Sequence, residues 1–222
     1  MPRPRMIVVA GPPGSGKSTN FPLVEYGYDW FNADTRAAEL NGGSFRRIPK
    51  DIRARVNLEF QSWVIDHISA GKSFALETTL RSQITFEQAR LAQAHGFWTL
   101  MEYVNAGSVE ESIRRVMERS YRGGHSASER LIRDIYNKST KNLIAALDFR
   151  TSCLQTLRIY DNSRFDKPLQ PLLNIRYGRP TYLSQEVSPW LEHLLKGTEF
   201  DIASVRESLQ IKAARKSTGR EQ

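Results

Sequence analysis

The segment Gly11-Pro12-Pro13-Gly14-Ser15-Gly16-Lys17-Ser18-Thr19 fits G-x-x-x-x-G-K-S/T, the Walker A spacing of a phosphate loop. Glycines at 11, 14 and 16 let backbone N–H groups turn inward onto phosphate oxygens, and a helix opening at Lys17 adds a partial positive charge at its N-terminus. Lys17 is placed to reach the β- and γ-phosphates, and the Ser18 hydroxyl is a candidate Mg²⁺ ligand. ATP with Mg²⁺ is the expected ligand. The cradle is shared by kinases, ATPases and GTPases, so other residues must separate them. The guanine-reading N-K-x-D is lacking, since Asn137-Lys138-Ser139-Thr140 has no aspartate, and L-S-G-G-Q is absent too.

Phosphoryl transfer to a hydroxyl requires a carboxylate that orients the hydroxyl and accepts its proton. Asp34, in Phe31-Asn32-Ala33-Asp34 after the second predicted strand, is the candidate base; an N-cap role for the following helix is the alternative. Glu77-Thr78-Thr79-Leu80-Arg81 closes the third predicted strand with an acid, two hydroxyls and a guanidinium. Glu77 would hold an acceptor hydroxyl or a magnesium water and Arg81 an anionic group, although solvated polar residues also belong at a strand end. Between Glu110 and Lys141, arginines flank Gly123-Gly124-His125. Arg119 and Arg122 are the expected contacts to transferring phosphate, with Arg115 and Arg133 in reserve, in a lid of about residues 114–136.

These groups need a frame that brings them to one edge. Met6 to Ala10 is a continuous apolar run ending at a glycine cluster, as in a strand buried on both faces of a parallel sheet. Similar runs recur at Tyr28 to Asn32, Ser73 to Glu77, Phe97 to Val104 and Leu157 to Tyr160. Between them lie helical patterns at Asp51 to Ala70, Ser108 to Glu118 and Ser128 to Leu147. The alternation predicts an α/β fold with a doubly wound, mostly parallel sheet flanked by helices. Asp161 to Pro171 reads as a turn region, Leu172 to Tyr177 as an edge strand, and Pro189 to Leu195 as a short helix. A main domain is expected over 1–197, followed over 198–222 by a C-terminal helix and a basic tail that frays from Ile211.

With 222 residues, 40% hydrophobic and 25% charged, the chain suits one globular domain. Lys and Arg number 32 against 24 Asp and Glu, a net charge of +8 that favours anionic partners without choosing among them. Cys153 is alone, which excludes an internal disulfide and a multi-thiolate metal site, and the four histidines lack a metal-ligand spacing. No apolar run approaches the roughly 18 residues of a membrane span, so a cytoplasmic protein is expected.

Asn32-Ala33-Asp34, Glu77-Thr78-Thr79-Leu80-Arg81 and the run from Arg114 to Arg122-Gly123-Gly124-His125 together resemble the zeta-toxin family of P-loop kinases, over about Met6 to Ser163. The resemblance extends to the zeta-like branch often labelled predicted ABC-type ATPases. It implies that Gly11 to Thr19 hold ATP, Asp34 is the base, and Asn32, Glu77, Thr79 and Arg81 contact the acceptor, which in the family's toxins is UDP-N-acetylglucosamine. It also implies an antitoxin partner. The sequence departs from that branch after Gly-Gly-His, with Asp134-Ile135-Tyr136 where Arg-Arg-Tyr is expected and Arg133 displaced by one position. Asp161-Asn162-Ser163 resembles the family's turn near the adenine; a plain turn is the alternative. Two readings compete with a small-molecule kinase: a polynucleotide 5′-kinase, which the basic charge would suit, and a nucleotide-binding module that acts by docking a protein.

Overall fold

The computed structural model describes residues 2–121, 127–164 and 167–218. Strands β1 (Arg5–Ala10), β2 (Asp29–Phe31), β3 (Phe74–Thr78), β4 (Trp98–Asn105), β5 (Thr156–Asp161), β6 (Gln170–Arg176) and β7 (Arg179–Leu183) form one seven-stranded sheet in the order β2-β3-β1-β4-β5-β6-β7. The pairs among β2, β3, β1, β4 and β5 are parallel, and β6 and β7 add antiparallel. Parallel neighbours require helical crossovers, and the helical patterns lie between the strands in sequence as that requires. The expected doubly wound, mostly parallel architecture is therefore the observed one.

β1 occupies the centre because its apolar run can be covered on both sides of the sheet; Met6, Val8, Val9 and Ala10 are 0% exposed. On one face Met6, Val8, Met101, Tyr103, Leu157 and Ile159 form the main core with helices α3 (Lys50–Ser69), α4 (Ile84–Ala94), α6 (Glu129–Leu147), α8 (Pro189–Leu195) and α9 (Ile202–Thr218). Trp63 of α3 packs at 5.5 Å from both Phe31 and Phe74, which makes the aromatic residues of that helix core, as its periodicity predicts. The opposite face is thinly covered: Ile7, Val9 and Ala75 meet Leu23, Phe21, Tyr26 and Tyr28 from the short segment after the phosphate loop.

Several expectations need correction. The helix opening at Lys17 is only α1 (Lys17–Asn20), because Pro22 offers no N–H and restricts Phe21, which leaves helical space at φ −135°. The strand expected at the edge from Leu172 is β6, an inner strand, and β7 lies outside it. β7 is reached through Tyr177 and Gly178, whose φ of 50° and 69° make them the two left-handed residues of a tight hairpin turn. The tail expected to fray from Ile211 is helical through Thr218, and Phe200 and Val205 of the C-terminal region sit in the main core. Leu131 and Ile144 of α6 are 43% and 39% exposed, whereas Ile132 and Leu143 beside them are fully buried.

Candidate functional site

Where β1 ends, the chain turns through Gly11 to Gly16 along the C-terminal edge of the sheet, the position at which open α/β folds bind ligands. The glycines are required by contact as well as by backbone. A Cβ on Gly11 would lie 2.1 Å from the Val104 carbonyl oxygen of β4, and one on Gly14 would lie 2.7 Å from the Ser112 carbonyl oxygen of α5 (Val109–Tyr121). The loop is thus wedged between a strand end and a helix. Gly16 caps α1 at φ 88°, in left-handed space. Two amides brace it: Asn162 Nδ2 donates to the Ser15 carbonyl at 2.8 Å and Asn20 Nδ2 to the Gly16 carbonyl at 2.8 Å. Asn162 is itself fixed by its N–H, which donates to the Asn105 carbonyl at 2.8 Å.

Lys17 is buried, and its ammonium donates to the carbonyls of Gly11 at 2.8 Å and Pro12 at 3.0 Å, 3.9 Å from Glu77 Oε1. Burial pulls its pKa below the ordinary 10.5; the charges of Glu77 and Asp34 act against that fall, and Arg119 adds to it. Lys17, Glu77, Asp34 and Arg119 therefore share one electrostatic neighbourhood. Ser18 Oγ donates to Glu77 Oε2 at 2.8 Å, so one carboxylate on β3 collects both Lys17 and Ser18. The Ser18 and Thr19 side chains are otherwise open to solvent.

Asn32 rather than Asp34 caps α2 (Ala33–Leu40): its extended backbone at φ −124° lets Oδ1 accept from the N–H groups of Asp34 at 3.0 Å and Thr35 at 3.1 Å. That corrects the capping alternative for Asp34 and commits the Asn32 carbonyl to the helix. The Asp34 carboxylate is half exposed and lies 3.7 Å from Arg53 of α3. Sequence reasoning missed Arg53, because α3 was read for its apolar stripe alone. Asn162 was missed as a brace for a subtler reason: its partner lies 147 residues away.

At the end of β3, the Thr78 hydroxyl accepts from the N–H of Leu80, whose φ of 54° is left-handed although its side chain is fully buried. Asn142 Nδ2 of α6 donates to the Leu80 carbonyl at 2.9 Å, fixing the turn that carries Thr79, half-buried, and Arg81, exposed. Such backbone costs about 1–3 kcal/mol and persists only where its surroundings over-determine it.

The arginines expected in the lid divide. Arg119 projects from α5 into solvent near Lys17. Arg115 is tied to Glu111 within α5 and reaches the Ser163 carbonyl at 3.4 Å. Arg133 pairs with Glu110 at 2.9 Å, linking α6 to α5. Arg122 lies outside the described residues. Arg46, between α2 and α3, donates to the Ser120 carbonyl at 3.1 Å and joins that loop to the end of α5.

The residues fit ATP and magnesium on their own geometry. The cradle excludes side chains, a buried lysine faces it, and Ser18 with Glu77 offers the hard oxygen donors magnesium takes. Among the described residues no cluster of three or more His, Cys, Asp or Glu is placed to hold a metal alone. A magnesium ion here would depend on phosphate oxygens and water for the rest of its shell.

Sheet order, phosphate loop and helical flanks define an α/β fold of the P-loop kinase type. Solved structures share it. One from the PezAT chromosomal toxin–antitoxin system of Streptococcus pneumoniae superposes with a TM-score of 0.55 at 17% identity, covering 100% of this chain and 89% of that one. The AvrRxo1-ORF1:AvrRxo1-ORF2 complex gives 0.62 with sulphate bound and 0.61 with ATP, each at 14% identity over 94% of this chain and 76% of that one. An uncharacterized protein of Haemophilus influenzae is 26% identical over 136 residues, 60% of this chain and 92% of its own length. No family model matches the chain. Among the described residues no helix is long and apolar enough to cross a membrane.

Proposed function

We propose that this protein is an ATP- and Mg²⁺-dependent phosphotransferase that phosphorylates a hydroxyl of a small, anionic molecule. The observation that carries the reading is the convergence on Glu77 of Lys17 and Ser18 from the phosphate loop, with the Asp34 carboxylate in the same electrostatic neighbourhood. Bound ATP would supply the γ-phosphoryl group and leave as ADP, and magnesium would neutralise charge on the phosphates. Lys17 exchanges the carbonyls of Gly11 and Pro12 for phosphate oxygens, so its charge is desolvated and positioned in advance. Ser18 and Glu77 present oxygens to the metal. Asp34 orients the acceptor hydroxyl and takes its proton, a contribution of about 10²–10⁴ in rate. Glu77, Thr79 and Arg81 hold the acceptor, with Arg53 beside Asp34 available to an anionic group. Arg119 and Arg122 neutralise charge on the transferred group.

The zeta-toxin resemblance suggests a nucleotide sugar such as UDP-N-acetylglucosamine as acceptor. The fold shared with a structure from a toxin–antitoxin system supports an antitoxin-like protein partner. Transfer from γ-labelled ATP with Mg²⁺ to a panel of nucleotide sugars, free sugars, nucleosides and 5′-hydroxyl oligonucleotides tests the proposal. Labelling of one small-molecule class that falls about 10²–10⁴-fold in Asp34→Asn, with ATP binding kept, supports it. Labelling of oligonucleotides alone would replace it with a polynucleotide kinase, and equal labelling by Asp34→Asn would remove Asp34 from the chemistry.

A further inference from the structure

A doubly wound sheet is normally covered on both faces, yet the face opposite the main core is open over the N-terminal halves of β1 and β4. Register shows how far the opening runs. Ile7 pairs with Leu100, Leu100 with Thr156, and Thr156 with Arg176, one row on one face across β1, β4, β5 and β6. Leu100, in the middle of the sheet, is only half-buried. The opening is a groove of about 720 Å³ whose rim carries Arg3, Arg5, Arg158 and Arg176, and none of its lining residues is acidic. It lies at the opposite end of the strands from the phosphate loop.

Its chemistry is mixed in a particular way. Trp98 stands in the groove with the guanidinium of Arg176 at 5.1 Å and that of Arg3 at 5.5 Å from its ring. Arg176 also lies 5.9 Å from the ring of Tyr177. Around these stacks the lining offers hydroxyls and an amide, from Ser73, Thr156, Thr181 and Asn174. A second copy seated here about a two-fold axis would set its own arginines against these, an opposition of like charges. An amphipathic helix would ask for a continuous apolar floor, whereas here Ile7, Leu100 and Ile175 are interspersed with Thr156, Asn174 and the guanidiniums of Arg158 and Arg176. Planar cations stacked on aromatic rings, with polar groups between them and no acid, suit flat bases joined by phosphates.

We infer that this open sheet face is a binding groove for single-stranded nucleic acid, separate from the phosphate-loop site. Arg5 and Arg176 take phosphates, with Arg158, paired to the buried Glu102 at 2.9 Å, beside them, while Trp98 and its stacked guanidiniums present planes for bases. Sequence preference is weak, because stacking tolerates every base.

The test is fluorescence anisotropy of labelled 12-nucleotide RNA and DNA single strands titrated with the full chain. Binding with a Kd of about 10⁻⁵ M at 50 mM salt is expected, weakening about 20-fold by 200 mM if three phosphates are contacted. The double variant Arg5→Ala/Arg176→Ala should bind about tenfold more weakly, with a salt slope shallower by about 1.4, and with an unchanged unfolding midpoint. Photo-crosslinking of 4-thiouridine RNA to the wild-type chain, which needs no variant, should place adducts on peptides containing Trp98 or Tyr28. Three results would each overturn the inference: no saturable binding at 50 mM salt, adducts confined to other surfaces with the double variant binding as wild type, or poly-glutamate competing as well as unlabelled oligonucleotide. The last would reassign the groove to an acidic protein.

Discussion

Ser18 and Glu77, 59 residues apart, are joined by a hydrogen bond of 2.8 Å that ties the phosphate loop to the neighbouring strand. The same carboxylate lies 3.9 Å from Lys17, so its charge serves two loop residues at once. Glu77→Gln keeps an acceptor for Ser18 and removes the charge. Magnesium-dependent ATP affinity is expected to fall about 10- to 100-fold, with a much smaller change when magnesium is omitted, as read by isothermal titration in the two conditions.

Lys17 gives a pH dependence of definite sign. Burial lowers its folded pKa below the ordinary 10.5, so just below that pH the unfolded chain binds more protons than the folded one. The contribution of this group to stability therefore rises with pH through that window. Nucleotide affinity moves the other way, since a neutral amine attracts no phosphate. ATP titrations across that window should show declining affinity in the wild type and a flat profile in Lys17→Arg, which stays charged.

The loop glycines differ in what opposes a side chain. Gly11→Ala drives a Cβ into the Val104 carbonyl oxygen, which is backbone and cannot yield. Gly16→Ala meets the Asn162 amide at 2.3 Å and also strains φ 88°. Urea unfolding should show about 3 kcal/mol lost in Gly16→Ala and more in Gly11→Ala. Asn162→Ala alone should cost about 1 kcal/mol, and the pair Gly16→Ala/Asn162→Ala less than the sum, because the second change vacates the site of the clash.

Leu80 combines a buried side chain with left-handed backbone. Leu80→Ala should cost about 3 kcal/mol for the cavity. Leu80→Gly removes the same atoms and relieves about 1–2 kcal/mol of backbone strain, which offsets its extra chain entropy. It should be no less stable than Leu80→Ala in thermal unfolding, the reverse of the order at an ordinary site.

Much of this was legible because it is local. The run from Met6 into Gly11 specifies strand and loop together, and Trp63 and its neighbours announce a core helix by their spacing. What stayed hidden depends on distance or on competition between like residues. Asn32 and Asp34 are equally good caps by type, and only the observed backbone decides that Asn32 Oδ1 meets the N–H groups while the Asp34 carboxylate stays available. Nothing near Asn162 in sequence marks it as the partner of Ser15. The break at Phe21-Pro22 was visible as residues, but its effect, a helix of four residues and an open sheet face, depends on what packs there afterwards.

The strand order sets when the phosphate loop can exist. β1 is made first but sits between β3 and β4, with Val9 opposite Glu77 on one side and Glu102 on the other. Gly11 rests on Val104 and Gly14 on Ser112, so the loop has no walls until the ribosome has passed α5. During synthesis the apolar run Met6 to Ala10 must wait unpaired, and such waiting strands are exposed to aggregation and to chaperones. The nucleotide cradle, encoded at β1, is thus completed only after its walls at Val104 and Ser112 and its brace at Asn162 have been made.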